Sequence, residues 1–159
     1  MGPVNINLWG VVHGCHVFVP RLRRQKSGRI INVASAAGLL APPQLGPYNV
    51  TKAAVVALSE TLAGELGKDG IGVTVLCPTF FPTNIAKSGR GTGNPKMLAS
   101  LEKLMAQSKF SAEDVATIAL DSRDLYVIPQ ADGRWMWRLK RALPDRFHQL
   151  GPKRLLKRK

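Results

Sequence analysis

Tyr48 and Lys52 are the residues of this sequence whose types and spacing most directly suggest chemistry. Their Tyr-x-x-x-Lys spacing places a phenol and an ammonium about one turn apart on one helix face. Free tyrosine, with a pKa of about 10, is a weak base at neutral pH, but a nearby ammonium favours the phenolate and lowers that pKa. Tyr48 could then exchange a proton with a carbonyl or alcohol oxygen. Ser35, which ends a strand-like run upstream, could hold the same oxygen by a hydrogen bond.

The elements predicted around these residues form a βαβ unit. Apolar, β-branched runs at 29–35 and 71–77 are typical of strands buried on both faces of a parallel sheet. The segment 48–68 between them is rich in alanine and leucine and is closed by Gly67 and Gly70, which predicts a long helix. Strand, helix and strand in this order indicate an α/β fold.

The remaining elements are predicted from periodicity and from turn residues. Apolar residues at helical spacing predict a helix over 5–22, which Pro20 and the following arginines end in a basic turn. The rest of the chain is predicted to contain a loop at 36–47, an irregular segment at 79–109, a helix beginning with a serine cap at Ser111 and a strand at 124–128.

Four segments, in order, resemble the short-chain dehydrogenase/reductase family. They are Asn7-Leu8-Trp9-Gly10, the strand and serine segment from Ile30 to Gly38, Tyr48-Asn49-Val50-Thr51-Lys52, and Cys77-Pro78-Thr79-Phe80-Phe81-Pro82-Thr83. A lone Tyr-x-x-x-Lys occurs by chance in many proteins, but four matches in order with family-like spacing are a specific signal.

The resemblance implies a doubly wound, Rossmann-like sheet and an NAD(P)-dependent oxidoreductase that interconverts an alcohol and a carbonyl by hydride transfer. It implies that Tyr48 is the general acid/base and that Ser35 orients and polarises the substrate oxygen. It further implies that Lys52 tunes Tyr48 and holds the nicotinamide ribose, while Asn7 holds a water that links Lys52 to solvent. The cofactor contacts implied are those of Tyr48, Lys52, Pro78, Thr79, Phe81 and Thr83. The sequence does not distinguish NAD from NADP.

The family's glycine-rich phosphate turn is not found in this sequence. Its only glycine-rich stretch, Gly89-Arg90-Gly91-Thr92-Gly93, follows no predicted strand and opens no predicted helix, so it is rejected as a phosphate cradle. We therefore expect a partial doubly wound sheet that represents the C-terminal catalytic half, with the N-terminal βαβ half absent. Thr79 also stands where the family usually has glycine, and its side chain could narrow the approach to the nicotinamide.

Positive charge is concentrated in the last 26 residues, which carry ten lysines and arginines against Asp145, or +9 of the net +13. We divide the chain accordingly into a Rossmann-type part at 1–133 and a basic, aromatic tail at 134–159. The tail could lie weakly on an anionic membrane surface, or its tryptophans could pack over the substrate pocket or against a partner subunit. Nucleic-acid binding is disfavoured, because no recognisable reading module accompanies the basic residues.

Two further function classes stay open beside the enzyme. The chain could be a non-catalytic fragment that acts as an interaction or dimerisation module, since the helices at 5–22 and 48–68 are those the family uses to form oligomers. It could instead be a peripheral membrane or polyanion binder through its tail. Cys15 and Cys77 are predicted to be buried free thiols in a cytoplasmic setting. His13 and His16 lack a third ligand nearby, so no metal site is predicted.

Overall fold

The computed structural model describes residues 4–84 and 95–155, which build a three-stranded parallel sheet with helices on both faces. The strands are β1 (Gly28–Val33), β2 (Ile71–Leu76) and β3 (Tyr126–Val127), in the order β1-β2-β3. The predicted α/β class and the three strands are confirmed, although each strand ends before its predicted last residue. The finer prediction, a doubly wound sheet without its first half, stays a prediction.

Helices make up most of the remaining described chain. They are α1 (Gly10–Gln25), which a π-helical turn (Asn5–Trp9) precedes, α2 (Ala36–Leu40), α3 (Gly46–Leu66), which runs into a 3-10 turn (Gly67–Asp69), α4 (Pro95–Ala106), α5 (Ala112–Asp121), α6 (Ala131–Ala142) and α7 (Pro144–Leu155). Among these described helices, none combines the length and the apolar composition needed to cross a membrane.

Alternation along β2 separates the core into two faces. Ile71, Val73 and Val75 point to one face, where they pack with residues of α1 and α3 in two apolar clusters. Leu76 points to the other face, where it packs with Val115 and other residues of α5 and β3. The sheet is therefore buried on both faces at β2, as the continuous apolar runs predicted.

The end of the first helix was predicted wrongly. The basic turn predicted at Pro20 is helical, and α1 continues to Gln25. A proline in a helix removes one backbone hydrogen bond. Here Val19 and Leu22, on either side of Pro20, pack against the buried cluster around Leu62 and Leu66, which holds the last turns in place. Lys26, in a left-handed conformation, then ends the helix.

Two predicted loops also contain helices. The segment 36–47 opens with α2 and closes with the first turn of α3, because Ser35 caps α2 and Pro47 fits a first helical turn. The segment 79–109 contains α4, while 85–94, which holds the glycine-rich stretch, lies outside the described residues. The serine-capped helix is confirmed: Ser111 and Asp114 form a complete capping box at the start of α5.

The basic, aromatic tail is helical and packs on the core. Trp137 lies against the apolar cluster between the sheet and α3, with its ring centroid 4.8 Å from that of Tyr126. Trp135, by contrast, is half exposed. The proposed division between residues 133 and 134 falls within α6, and it stays a prediction, as does a contact of the tail with a membrane.

Candidate functional site

The carboxyl ends of β1 and β2 bring two of the predicted motifs together. Val33 and Leu76 are register partners at the ends of these parallel strands. Hydrogen bonding continues beyond them: Ala34 N–H donates to the Leu76 carbonyl at 2.8 Å, and Ala36 N–H donates to the Pro78 carbonyl at 2.9 Å. The serine segment and the segment that begins at Cys77 therefore run side by side. Ligands of open α/β sheets bind at this end of the strands.

Ser35 lies at the junction between β1 and α2. Its backbone is extended, and its Oγ accepts a hydrogen bond from Ala37 N–H at 3.1 Å, which caps α2. Ser35 thus follows the end of β1 by two residues, and its side chain begins the next helix. The cap fixes the hydroxyl oxygen in space, while the O–H proton stays available to an acceptor.

Lys52 reaches the same strand end from α3. Its Nζ donates to the Val33 carbonyl at 3.0 Å and lies 5.9 Å from the centre of the Tyr48 ring. Burial lowers the pKa of Lys52, an effect that nearby Cys77 opposes. An ammonium has three N–H donors, and the carbonyl of Val33 takes one of them. The others are free to meet hydroxyl groups of a ligand, so the donor set fits a ribose.

Tyr48 and Asn7 both occupy helical positions, Tyr48 beside Lys52 in α3 and Asn7 in the π-helical turn before α1. Tyr48 is half-buried in the first turns of α3, where its neighbour Asn49 donates to the Pro42 carbonyl at 2.8 Å and ties down the connection from α2. Asn7 is half-buried in the π-helical turn, which packs on α3 through Leu8. π-Helical turns are rare and recur at functional sites. The roles predicted for Asn7, Ser35, Tyr48 and Lys52 stay predictions.

The segment after β2 is held at several points. Pro78 is buried, Phe81 packs against the cluster of α5 and β3, and Thr83 is exposed. Thr79 N–H donates to the buried side-chain oxygen of Gln130 at 2.9 Å. Because the Phe81 side chain is directed to the core, any contact of this residue with a cofactor would come from its backbone. The cofactor contacts predicted for this segment stay predictions.

Three residues that sequence reasoning did not single out support this site. Gln130 holds Thr79, Gly133 packs on the Thr79 methyl group, and Lys140 donates to the Leu39 carbonyl at the end of α2. Each of these residues contacts a partner more than 50 positions away in the sequence, so no local sequence pattern identifies it.

Cys77 lies next to the site but is not suited to nucleophilic chemistry. It is fully buried, and burial raises the pKa of its thiol to about 12 against the opposing effect of the Ser35 backbone N–H. The prediction that Cys15 and Cys77 are buried free thiols is confirmed. Within residues 4–84 and 95–155, no three metal-ligating side chains are grouped as a metal site would require.

Gly38 of α2 lies against the backbone of Lys52, and a Cβ at this position would come within 2.6 Å of the Lys52 carbonyl carbon. We expect Gly38→Ala to lower the free energy of unfolding by about 1–3 kcal/mol, since the two helices must separate. Gly64→Ala in α3, where a Cβ has open space, is expected to raise it by about 0.5–1 kcal/mol. Urea unfolding of both variants checks this, and equal effects would contradict it.

Comparison with known proteins identifies the family. The sequence model described as short chain dehydrogenase matches residues 3–92. The chain belongs to this family. This match does not bear on whether the first half of the family's fold is absent, which stays a prediction.

Relatives of this chain include a C alpha-dehydrogenase from Sphingobium, 34% identical over 82% of this chain and 47% of the relative. A short chain dehydrogenase/reductase from Burkholderia phymatum, solved in complex with NAD, is 35% identical with a TM-score of 0.76 over 87% of this chain and 56% of that one. A Burkholderia cenocepacia short chain dehydrogenase solved with NADP, 22% identical, shares the fold with a TM-score of 0.65 over 98% and 58%. The chain spans about half the length of these relatives.

Proposed function

We propose that this chain carries the proton-transfer site of an NAD(P)-dependent oxidoreductase that interconverts an alcohol and a carbonyl. The observation that carries the proposal is the position of Lys52. Its ammonium is anchored to the last carbonyl of β1, two residues before Ser35, and lies beside the Tyr48 ring. This position supports a site at the carboxyl end of β1 that uses Ser35, Tyr48 and Lys52 together.

Tyr48 is the acid/base of the proposed reaction. Its hydroxyl gives a proton to a carbonyl oxygen, or takes one from an alcohol, in the step in which charge develops on that oxygen. The Lys52 ammonium favours the negative charge that Tyr48 carries after giving up its proton. Ser35, fixed by its cap on α2, donates its O–H to the same substrate oxygen. Asn7 supports proton exchange between Lys52 and solvent.

The cofactor is held in this proposal by Lys52 and by the segment after β2. The remaining N–H donors of Lys52 would meet the ribose hydroxyls, while the segment from Pro78 to Thr83, with Phe81 contributing only its backbone, would line the nicotinamide. A bound nicotinamide supplies or accepts the hydride, since no side chain can do so. The solved relative that holds NAD supports this cofactor class.

Titration of the full chain with NADH and NADPH, followed by cofactor fluorescence, tests the proposal. We expect saturable binding of one or both, and about tenfold weaker binding by Lys52→Met, because hydrogen bonds to a charged group are lost. Lys68→Met removes an exposed lysine in the 3-10 turn that follows α3, at the opposite end of this helix from Tyr48, and should bind like the parent. Absence of binding up to millimolar cofactor, or equal affinity of the Lys52 variant, would overturn the proposal.

We also propose that the helices at 5–22 and 48–68 pair with those of a second copy of this chain. Both expose large apolar side chains: Trp9 and Val17 on the first, and Val50, which is 66% exposed, on the second. Apolar groups clustered at a surface are typical of an interface between proteins.

Replacing Val50 with lysine tests this pairing. We expect Val50→Lys to reduce the molar mass measured by light scattering to that of a single chain, because a charge would be buried at the interface. Leu120→Lys places the same charge at an apolar side chain of α5 that is 63% exposed, and it should leave the mass unchanged. A parent chain that is already monomeric would contradict the proposal.

A further inference from the structure

The N-terminal end of α6 is attached to the segment that follows β2. The side chain of Gln130, which is 5% exposed, accepts from Thr79 N–H at 2.9 Å and donates to the Phe80 carbonyl at 3.4 Å. One turn later, Gly133 allows close packing, since a Cβ there would lie 2.6 Å from the Thr79 methyl group. The backbone and the side chain of Thr79 are therefore both fixed from α6.

The last turn of α6 is attached to α2. Lys140 Nζ donates to the Leu39 carbonyl at 2.7 Å, near the C-terminal end of the short helix that Ser35 begins. A cation is favourable at this end of a helix. Burial lowers the pKa of Lys140, whose side chain is partly buried where α6 meets the end of α2.

The body of α6 between these two ends is anchored to the residues of β3 and to those that follow it. Arg134 donates to the carbonyls of Ile128 and Pro129 at 2.8 and 2.9 Å, directly after β3. The Trp137 ring packs at a tilt on Tyr126 of β3. The Arg141 guanidinium lies over the Trp137 ring, 5.1 Å from its centre. The helix therefore connects the two segments that flank the candidate site and is itself attached at β3.

We propose that α6 is a brace for the catalytic site, with Gln130 and Lys140 as its positioning residues. Gln130 sets the position of the segment that would line the nicotinamide, and Lys140 sets the position of the helix that carries Ser35. Neither touches substrate or cofactor. This inference rests on the proposed function for its catalytic consequence, whereas the mechanical part stands on the hydrogen bonds alone.

Hydrogen exchange of the full chain, measured by mass spectrometry, tests the brace without any ligand. We expect Lys140→Met to speed exchange in α2 by about tenfold and to leave 77–81 unchanged. Gln130→Leu should do the opposite, speeding exchange at 77–81 and leaving α2 unchanged. Lys140→Arg should restore the parent rate, while Arg138→Met, an exposed position of the same helix, should change neither segment. Unchanged rates, or acceleration spread over the whole chain, would overturn the brace.

Cofactor titration and kinetics then test the catalytic consequence. Gln130→Leu should weaken NADH binding by about tenfold, whereas Lys140→Met should leave NADH binding unchanged and lower kcat. If Gln130 and Lys140 only stabilised the fold, their loss would not affect cofactor affinity at one end of α6 and kcat at the other. If the parent chain binds no nucleotide, the proposed function fails, and the exchange rates still decide whether α6 is a brace.

Discussion

Replacing Tyr48 with phenylalanine is expected to lower kcat for alcohol or carbonyl substrates by about 10²–10⁴-fold, the usual contribution of a general acid/base. The substitution keeps the aromatic ring whose centre lies 5.9 Å from Lys52 Nζ and removes only the hydroxyl that, in the proposed reaction, would transfer the proton. NADH binding should change little, because the Tyr48 ring is kept and Lys52 and the segment after β2 are untouched. Loss of kcat at nearly constant cofactor affinity is the signature of a group that acts in the transition state.

Tyr126→Phe is the matched control, because Tyr126 is the other of the two tyrosines in the chain. Its hydroxyl donates to the Glu60 carboxylate, so this O–H already has an acceptor within the protein, and burial together with Glu60 raises the pKa of Tyr126 to about 12. This variant should keep its kcat and lose some stability. Equal activity of the parent and the Tyr48 variant would refute the assignment of the acid/base.

Replacing Arg29 with methionine is expected to lower the free energy of unfolding by about 2–4 kcal/mol, since several hydrogen bonds from a charged group are lost together. Arg29 donates to the carbonyls of Ala119, Leu120 and Ser122 at the end of α5. It also donates to the fully buried Thr74 Oγ1 at 2.7 Å. Without the guanidinium, these carbonyls at a helix end lose their partner.

Urea unfolding measures this effect, and methionine keeps the aliphatic stem that packs over Gly72. Arg24→Met, at an exposed position near the end of α1, should change the free energy of unfolding by less than about 0.5 kcal/mol. Arg29 lies at the amino end of β1, whereas Ser35 follows the carboxyl end of the same strand. The kcat measured well below the melting temperature should therefore not fall. A variant as stable as the parent would show that solvent replaces these hydrogen bonds without cost.

The parts of the fold that could be predicted from sequence are those with a local signal. The apolar runs of β1 and β2, the alanine-rich helix α3 and the Ser111 cap each follow from a few neighbouring residues. In the candidate site, the same holds for the Tyr-x-x-x-Lys spacing and for the position of Ser35 at a strand end.

The parts that could not be predicted depend on distant contacts. The helix α2 lies in a stretch rich in proline and glycine, and it is stabilised by close packing of Gly38 on Lys52 and by Lys140 from α6. The helix α1 likewise continues past Pro20 because residues on either side of this proline pack against α3. Tertiary contacts override local propensity at such positions, and a sequence read alone does not disclose them.

The bond between Lys140 and Leu39 joins residues 101 positions apart. Forming a contact between residues so far apart closes a long loop and costs chain entropy. Other contacts offset this cost only once the intervening sheet has formed. We therefore expect the geometry around Ser35 to mature after the sheet has formed, late in folding. Recovery of activity during refolding should accordingly lag behind recovery of the helical circular dichroism signal.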